Sequence, residues 1–341
     1  MKKKMVSLLL VPVLAMLVFT SCGFSAAKGT DGEKKSAEAG QEKYRIVCTT
    51  YPQYDWVMNL VGQLQDKFDV SYLMESGVDL HSYRPSASDM AKIEGANLFI
   101  YVGGESDGWV EDALKDRSNH SIETVNMLEA LGDGKKEEEV VEGMQTEEEE
   151  KEEGQKEEGQ KEPEYDEHVW LSLKNAQTLV TLISDKMKKI DPSDADAIAA
   201  NTQDYVNKLR ELDERYENEI KKSGHKVLLF GDRFPFRYLI DDYGLKYYAA
   251  FVGCSAETEA SFQTISFLAK KADELHLPVI LTIEKSDQKI ASTIRENTRE
   301  KNQKIMAMDS LQSVSRDDIE KGKTYLKSME NNLEVLKAAL N

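Results

Sequence analysis

The 341-residue sequence has few of the residues and motifs that carry most enzyme chemistry. It contains three cysteines and five histidines, and it has no Gly-x-Gly-x-x-Gly, no Walker-type Gly-x-x-x-x-Gly-Lys and no His-Glu-x-x-His segment. Dinucleotide binding, phosphoryl transfer and zinc-protease chemistry therefore have no local signature in this chain. We predict that the protein is not an enzyme.

Basic residues are also in the minority. The chain has 44 Lys and Arg against 62 Asp and Glu, which gives a formal net charge of -18. A protein that binds nucleic acid needs a basic stripe to neutralise phosphates, and no such stripe is present. Nucleic acid is therefore not expected as a partner.

The N-terminus lacks the length of a membrane span but has the layout of an export signal. Three lysines at positions 2–4 precede an apolar run from Met5 to Phe19, which is shorter than the roughly 20 residues that a spanning helix needs. The signal, residues 1–21, ends in Phe-Thr-Ser before Cys22, which looks like a lipobox. We expect Cys22 to carry lipid and residues 22–43 to form a flexible tether. The folded part would then be anchored to the extracellular face of the cell membrane.

Apolar runs alternate with helical patterns along the rest of the chain, which predicts an α/β fold with parallel sheets. We expect a first α/β lobe at 44–191 and a second at 224–341. Strand candidates in the first lobe are 44–50, 68–74 and 97–102, and those in the second are 226–230, 247–251, 279–283 and 304–308.

A helical pattern at 193–223 separates the two lobes. It has no glycine or proline between Ser193, a candidate N-cap, and Gly224. A helix of some 28 residues would be about 42 Å long, more than the width of one lobe. We expect this helix to bridge the lobes and to stiffen the angle between them.

The segment 135–167 is strongly acidic, with sixteen acidic and five basic residues and a tandem Lys-Glu-Glu-Gly-Gln repeat at 151–160. So dense a run of like charges buries too little apolar surface to fold. We predict a disordered surface loop within the first lobe.

One histidine and three carboxylates lie where strands end, and a second histidine lies where the acidic segment rejoins the fold. His81 follows the strand candidate 68–74, and His168 follows the acidic segment. Asp232, Glu284 and Asp309 each end an apolar run of the second lobe, and in open α/β sheets ligands bind at that edge. Taken singly, each is more often a surface or capping residue. Together they would suit Zn2+ or Mn2+.

Cys48 and Cys254 are the cysteines that remain beside Cys22, one in each lobe. Disulfides persist in an exported protein, so the two could be bonded. Two isolated cysteines are as often buried free thiols. The sequence leaves both alternatives open.

Several segments resemble one family, the zinc/manganese ABC-transporter solute-binding lipoproteins of the zinc-uptake protein A type. They are Gly-Val-Asp-Leu-His-Ser-Tyr-Arg-Pro at 77–85, His-Val-Trp-Leu at 168–171 and Met-Asp-Ser-Leu at 308–311. The resemblance implies His81, His168 and Asp309 as metal ligands. Family members place a histidine or glutamate where this chain has Arg233, which cannot ligate. Asp232 is the expected substitute, with Glu284 in reserve.

The resemblance also implies the architecture and the function. We expect two open four-stranded α/β lobes joined by one long rigid helix, with one Zn2+ ion, or alternatively Mn2+, in the interlobe cleft. A monomer would deliver the ion to an ABC permease driven by a cytoplasmic ATPase. The alternatives are a lipid-anchored surface adhesin, for which the anchor and the acidic loop would suffice, and a hydrolase that uses a bound metal.

Overall fold

The computed structural model describes residues 43–115, 121–145, 164–255 and 259–341. The predicted signal and Cys22 lie outside the described residues, as does the predicted tether apart from Lys43. Among the helices within these ranges, none has both the length and the apolar character needed to cross a bilayer.

The first sheet has four parallel strands in the order β2-β1-β3-β4. They are β1 (Tyr44–Cys48), β2 (Phe68–Tyr72), β3 (Leu98–Tyr101) and β4 (Glu123–Asn126). Consecutive residues of the central strands β1 and β3 are buried, so both faces of the sheet are covered, as is usual for parallel strands. The associated helices are α1 (Tyr51–Val61), α2 (Ala87–Glu94), α3 (Trp109–Lys115), α4 (Met127–Leu131) and α5 (Leu173–Ile190).

The second sheet repeats this arrangement with the strand order β6-β5-β7-β8. Its strands are β5 (Val227–Phe234), β6 (Lys246–Val252), β7 (Val279–Ile283) and β8 (Lys304–Met308), all parallel. Its helices are α7 (Arg237–Asp242), α8 (Phe262–Glu274), α9 (Lys289–Glu296), α10 (Arg316–Glu320) and α11 (Tyr325–Leu340). All four strands overlap the apolar runs of the sequence.

The strand β5 is longer than the sequence predicted. The register with β6 shifts between Phe230 and Arg233, and the strand continues to Phe234. Asp232 and Arg233 therefore lie within β5 beyond an irregularity, whereas the sequence placed them after the strand. A β-bulge of this kind redirects side chains, and bulges are frequent next to functional sites.

The long helix α6 (Ala195–Lys222) lies between the two sheets in the chain and contacts helices of both lobes. Tyr205 donates to the Asp55 carboxylate on α1 at 3.3 Å, and Tyr216 donates to the carbonyl of Met329 on α11 at 2.5 Å. The helix begins after a 3-10 turn at Pro192–Asp194, so its N-cap is Asp194 and not Ser193.

The flanks of the acidic segment are structured, which corrects the prediction of disorder for 135–145 and 164–167. Glu137 and Tyr165 form an antiparallel bridge, so the two flanks pair with each other. They also contact the second lobe, because Lys136 N donates to Tyr238 Oη at 3.1 Å and Tyr238 Oη donates to Asp166 O at 2.9 Å. The remainder of the segment, 146–163, lies outside the described residues.

Candidate metal centre

His81 lies in a 3-10 turn, Leu80–Ser82, on the connection from β2 to α2. The turn is capped by Asp79, whose Oδ1 accepts a hydrogen bond from the His81 N–H at 3.1 Å. Nδ1 of the His81 ring faces Ser106 Oγ at 2.8 Å and Glu167 Oε2 at 3.5 Å. These contacts hold one ring nitrogen and leave Nε2 facing away from them.

His168 is fully buried at the junction between the acidic segment and the turn Val169–Leu171. Oδ1 of Asp166 faces two of its nitrogens, the backbone N at 2.8 Å and the ring Nδ1 at 3.1 Å. A carboxylate on the outer nitrogen of an imidazole is the usual partner of a metal-binding histidine, because it fixes the ring and leaves the other nitrogen unprotonated.

The inner nitrogens of the two histidines face each other. His81 Nε2 lies 3.3 Å from His168 Nε2, and Gln312 Oε1 lies 3.0 Å from the same His168 nitrogen. Two nitrogens bound to one tetrahedral zinc ion at roughly 2.05 Å are separated by about 3.3 Å. The 3.3 Å separation is that of a hydrogen bond between the two rings, and it also matches the spacing of two ligands of one zinc ion.

Electrostatics support a neutral imidazole at His81. Burial, with the neighbouring His168 and Arg233, lowers the pKa of His81 to about 3. Burial opposes protonation of His168 as well, but the Asp166 carboxylate outweighs it and raises the pKa of His168. Burial raises the pKa of Glu167 to about 7, against the hydrogen bonds from Ser106. A metal ligand must offer an unprotonated nitrogen, and His81 does so at neutral pH.

Cys254 follows β6 and completes a group of three with the two histidines. One donor atom from each of His81, His168 and Cys254 lies within 4.8 Å of the other two. Cys254 is not bonded to Cys48, and both thiols are free, which is one of the two alternatives that the sequence left open. Cys48 is buried in the central strand β1 of the first sheet.

The two predicted aspartate ligands do not join this group. Asp309 forms an ion pair with Lys323 at 2.6 Å. Asp232 accepts from the Arg233 backbone N–H at 2.8 Å and lines a neighbouring cleft of about 370 Å3 together with Glu284. Both stay predictions as ligands, and the structure brings only the histidines of the predicted set together.

The reserve ligand Glu284 is occupied by hydrogen bonds. Its carboxylate accepts from Ser310 N and Ser310 Oγ, each at 2.7 Å. Burial, and then the charge of Asp309, raise the pKa of this carboxyl. Glu284 therefore shapes the turn after β8, and its oxygens are engaged there.

Arg233 links the two sides of the site. Its Nη2 pairs with Asp79 Oδ2 at 2.8 Å, and its Nη1 donates to Ser255 O at 3.3 Å. Burial raises the pKa of Asp79, but the guanidinium outweighs it and lowers that pKa overall. The arginine thus ties the turn that carries His81 to the loop that carries Cys254.

Four residues around the histidines are not predicted from the sequence: Asp166, Glu167, Ser106 and Gln312. The acidic pair was part of a segment whose composition indicated disorder. Ser106 lies in a Gly-x-Ser-x-Gly segment, residues 104–108, which could have drawn attention to it. Its hydroxyl and Glu167 both face Nδ1 of His81, so the three do not form the serine–histidine–acid relay of a hydrolase.

The chain matches one known protein family along most of its length. The sequence model of the family described as "Zinc-uptake complex component A periplasmic" matches residues 46–339. The chain belongs to this family. Members of the zinc-uptake component A family are solute-binding proteins and not enzymes. The predicted family and the prediction that the protein is not an enzyme are both confirmed.

Two curated relatives show how far the similarity extends. The chain is 32% identical over 332 residues to the high-affinity zinc uptake system protein ZnuA of Bacillus subtilis (strain 168), and the match covers 97% of each chain. It is 30% identical over 334 residues to the zinc-binding lipoprotein AdcA of Streptococcus pneumoniae (strain R6), covering 98% of this chain and 60% of AdcA. The chain therefore spans about 60% of the length of AdcA.

Two solved structures have the same fold as this chain. The metal-dependent lipoprotein YcdH from Bacillus subtilis matches with a TM-score of 0.70 and 29% identity, covering 88% of this chain and all of that chain. The Zn(II)-bound ZnuA-like domain of Streptococcus pneumoniae AdcA matches with a TM-score of 0.67 and 28% identity. This match covers 88% of the present chain and 99% of the AdcA domain. The predicted pair of four-stranded sheets with a long helix is thereby confirmed.

Proposed function

We propose that the protein captures Zn2+ outside the cell and delivers it to the permease of an ABC importer, with His81 and His168 as ligands. The observation that carries the proposal is the 3.3 Å separation of the two Nε2 atoms, whose outer nitrogens face oxygen atoms. The ion is the transported cargo and undergoes no reaction. Relatives named as zinc uptake and zinc-binding proteins support the same choice.

Zinc is favoured over manganese by the donor atoms that lie together. Imidazole nitrogen suits Zn2+, whereas Mn2+ prefers carboxylate and carbonyl oxygen. The two aspartates that would have supplied oxygen ligands are directed elsewhere, to Lys323 and to the cleft beside Arg233. A given set of protein ligands also has a higher intrinsic affinity for Zn2+ than for Mn2+.

Zinc titration of the full chain after chelator treatment tests the ligand assignment. His81→Ala and His168→Ala should each weaken zinc binding by more than about 100-fold, since even outer-shell partners of a metal site are worth roughly 10–100-fold. His276→Asn is the matched control, because His276 is exposed and has a positive φ of 50° that asparagine tolerates. Zinc affinity that survives both alanine substitutions would refute the assignment.

Delivery and anchoring are tested in cells. Zinc uptake by cells that lack this chain should be restored by the wild type and not by the double variant His81→Ala, His168→Ala. Cys22→Ala should release the protein into the medium if Cys22 is the lipidated residue, because a tether without acyl chains has no membrane affinity of its own. Restored uptake by the double variant would separate transport from this metal site.

A further inference from the structure

Cys254 places a sulfur atom beside the two histidines. In the part of the chain that the structure describes, these three side chains form the one group of His, Cys, Asp or Glu whose donor atoms lie within 4.8 Å of one another. Cys254 lies on the loop after β6, at the carboxyl end of the second sheet, where open α/β folds bind ligands. Its backbone N–H donates to Glu138 Oε1 at 3.1 Å, which holds this loop against the ordered flank of the acidic segment.

The distances agree with a mixed nitrogen and sulfur site. At bond lengths of about 2.05 Å to nitrogen and 2.3 Å to sulfur, the ligand atoms of tetrahedral zinc lie about 3.3 Å (N to N) and about 3.6 Å (N to S) apart. The two imidazole nitrogens are 3.3 Å apart. From within 4.8 Å, the sulfur has to approach by no more than about 1.2 Å to reach the ligand distance.

A network of hydrogen bonds positions the loop for this role. Arg233, which cannot ligate, donates to Ser255 O directly after Cys254 and pairs with Asp79 on the other side of the site. Asp79 in turn accepts from the backbone N–H of His81. Arg233 therefore fixes the relative position of a nitrogen ligand and of the sulfur, although it supplies no donor atom itself.

We infer that Cys254 is the third protein ligand of the captured ion, so that zinc is held by two imidazole nitrogens and one thiolate. The inference rests on the proposed function, because it names a further donor of the same site. A coordinating thiol gives up its proton. Thiolate is a soft ligand that suits Zn2+ and not Mn2+, so Cys254 also determines the choice between the two ions.

Cobalt substitution tests the thiolate directly. Tetrahedral Co2+ absorbs in the visible range whatever its ligands, and a thiolate ligand adds a sulfur-to-cobalt charge-transfer band in the near ultraviolet. Every protein would be the full chain with Cys22→Ala, so that Cys48 and Cys254 are the only thiols among the three cysteines. The variants are Cys254→Ser and, as the matched control, Cys48→Ala in the core of the first sheet.

We expect the near-ultraviolet band in the parent and in Cys48→Ala, and its loss in Cys254→Ser. Zinc affinity should fall by about 100-fold or more in Cys254→Ser only, and the preference for Zn2+ over Mn2+ should fall with it. X-ray absorption of the zinc-loaded parent needs no variant and should show one sulfur at about 2.3 Å.

The two proposals fail in different ways. Visible cobalt bands without a near-ultraviolet band in the parent, or a band that persists in Cys254→Ser, would overturn the thiolate ligand and leave metal capture by the histidines intact. A parent that binds neither Co2+ nor Zn2+ would overturn the proposed function and this inference with it.

Discussion

Replacing Asp166 with alanine should weaken zinc binding by about 10–100-fold, or roughly 1.4–2.7 kcal/mol. Oδ1 of Asp166 faces both the backbone N and the ring Nδ1 of His168, at 2.8 and 3.1 Å, and both residues are buried. Without the carboxylate, the His168 ring loses the partner that fixes its orientation and its tautomer. Zinc would then bind a ring that has to be ordered at the time of binding.

Competition with a chromophoric chelator gives the affinity of wild type and variants on one scale. Asp166→Asn keeps an acceptor oxygen without the charge, so its loss should be smaller than that of Asp166→Ala. Asp273→Ala is the control, because Asp273 caps the backbone N–H of Arg299 on the surface of the second lobe. If Asp166→Ala binds zinc within about threefold of wild type while its circular dichroism is unchanged, orientation of His168 by this carboxylate is not important.

Three further predictions concern stability and the ligand set. Burial raises the pKa of Asp55 to about 6, so the folded state binds a proton that the unfolded state has lost. Acidification from pH 7.5 to 4.5 should therefore raise the free energy of unfolding of the chelator-treated wild type by about 2 kcal/mol relative to Asp55→Asn. Denaturant titrations of both proteins at the two pH values measure this difference. An equal pH dependence of the two proteins would contradict the prediction. Gly231→Ala should lower the free energy of unfolding, measured by urea titration, by about 1–3 kcal/mol, because its Cβ would lie 2.6 Å from Ala291 Cα. Gly134→Ala serves as the control, because its Cβ would meet no atom closer than 3.8 Å. Asp309→Ala should weaken zinc binding less than loss of either histidine, and an equal loss would place its carboxylate among the ligands.

The second sheet was predictable because each of its strands is a short apolar run bounded by polar or turn residues. Strand β4, with the sequence Glu-Thr-Val-Asn, has no such run, and only Val125 of its four residues is buried. It is a strand because the backbone of β3 offers it hydrogen-bonding partners, which a local pattern cannot show. The paired flanks of the acidic segment were missed for the same reason, since composition says nothing about the contact between Glu137 and Tyr165.

Part of the site was predictable, because His81 follows a strand and His168 lies where the acidic segment rejoins the fold. His81 and His168 come together as the sequence suggested, since both lie on connections at the same side of the fold. The sequence could not show that Lys323 would engage Asp309. A lone cysteine has several interpretations, and only the path of the loop after β6 brings Cys254 to the histidines. Partners that are distant in sequence decide which of several eligible side chains meet.

Under the proposed function, the helix α6 restricts how a captured ion can leave. It is one unbroken element of 28 residues with hydrogen bonds to α1 at one end and to α11 at the other, so a wide swing between the lobes would break buried contacts such as Tyr216 to Met329. Release then depends on displacement of the short segments that carry the donor atoms. In the proposed delivery, a docking permease would need only to pull one of these segments by an ångström or so, since bonds of about 2 Å to zinc do not survive such a shift. The rate of zinc release would then depend on how easily a loop is displaced.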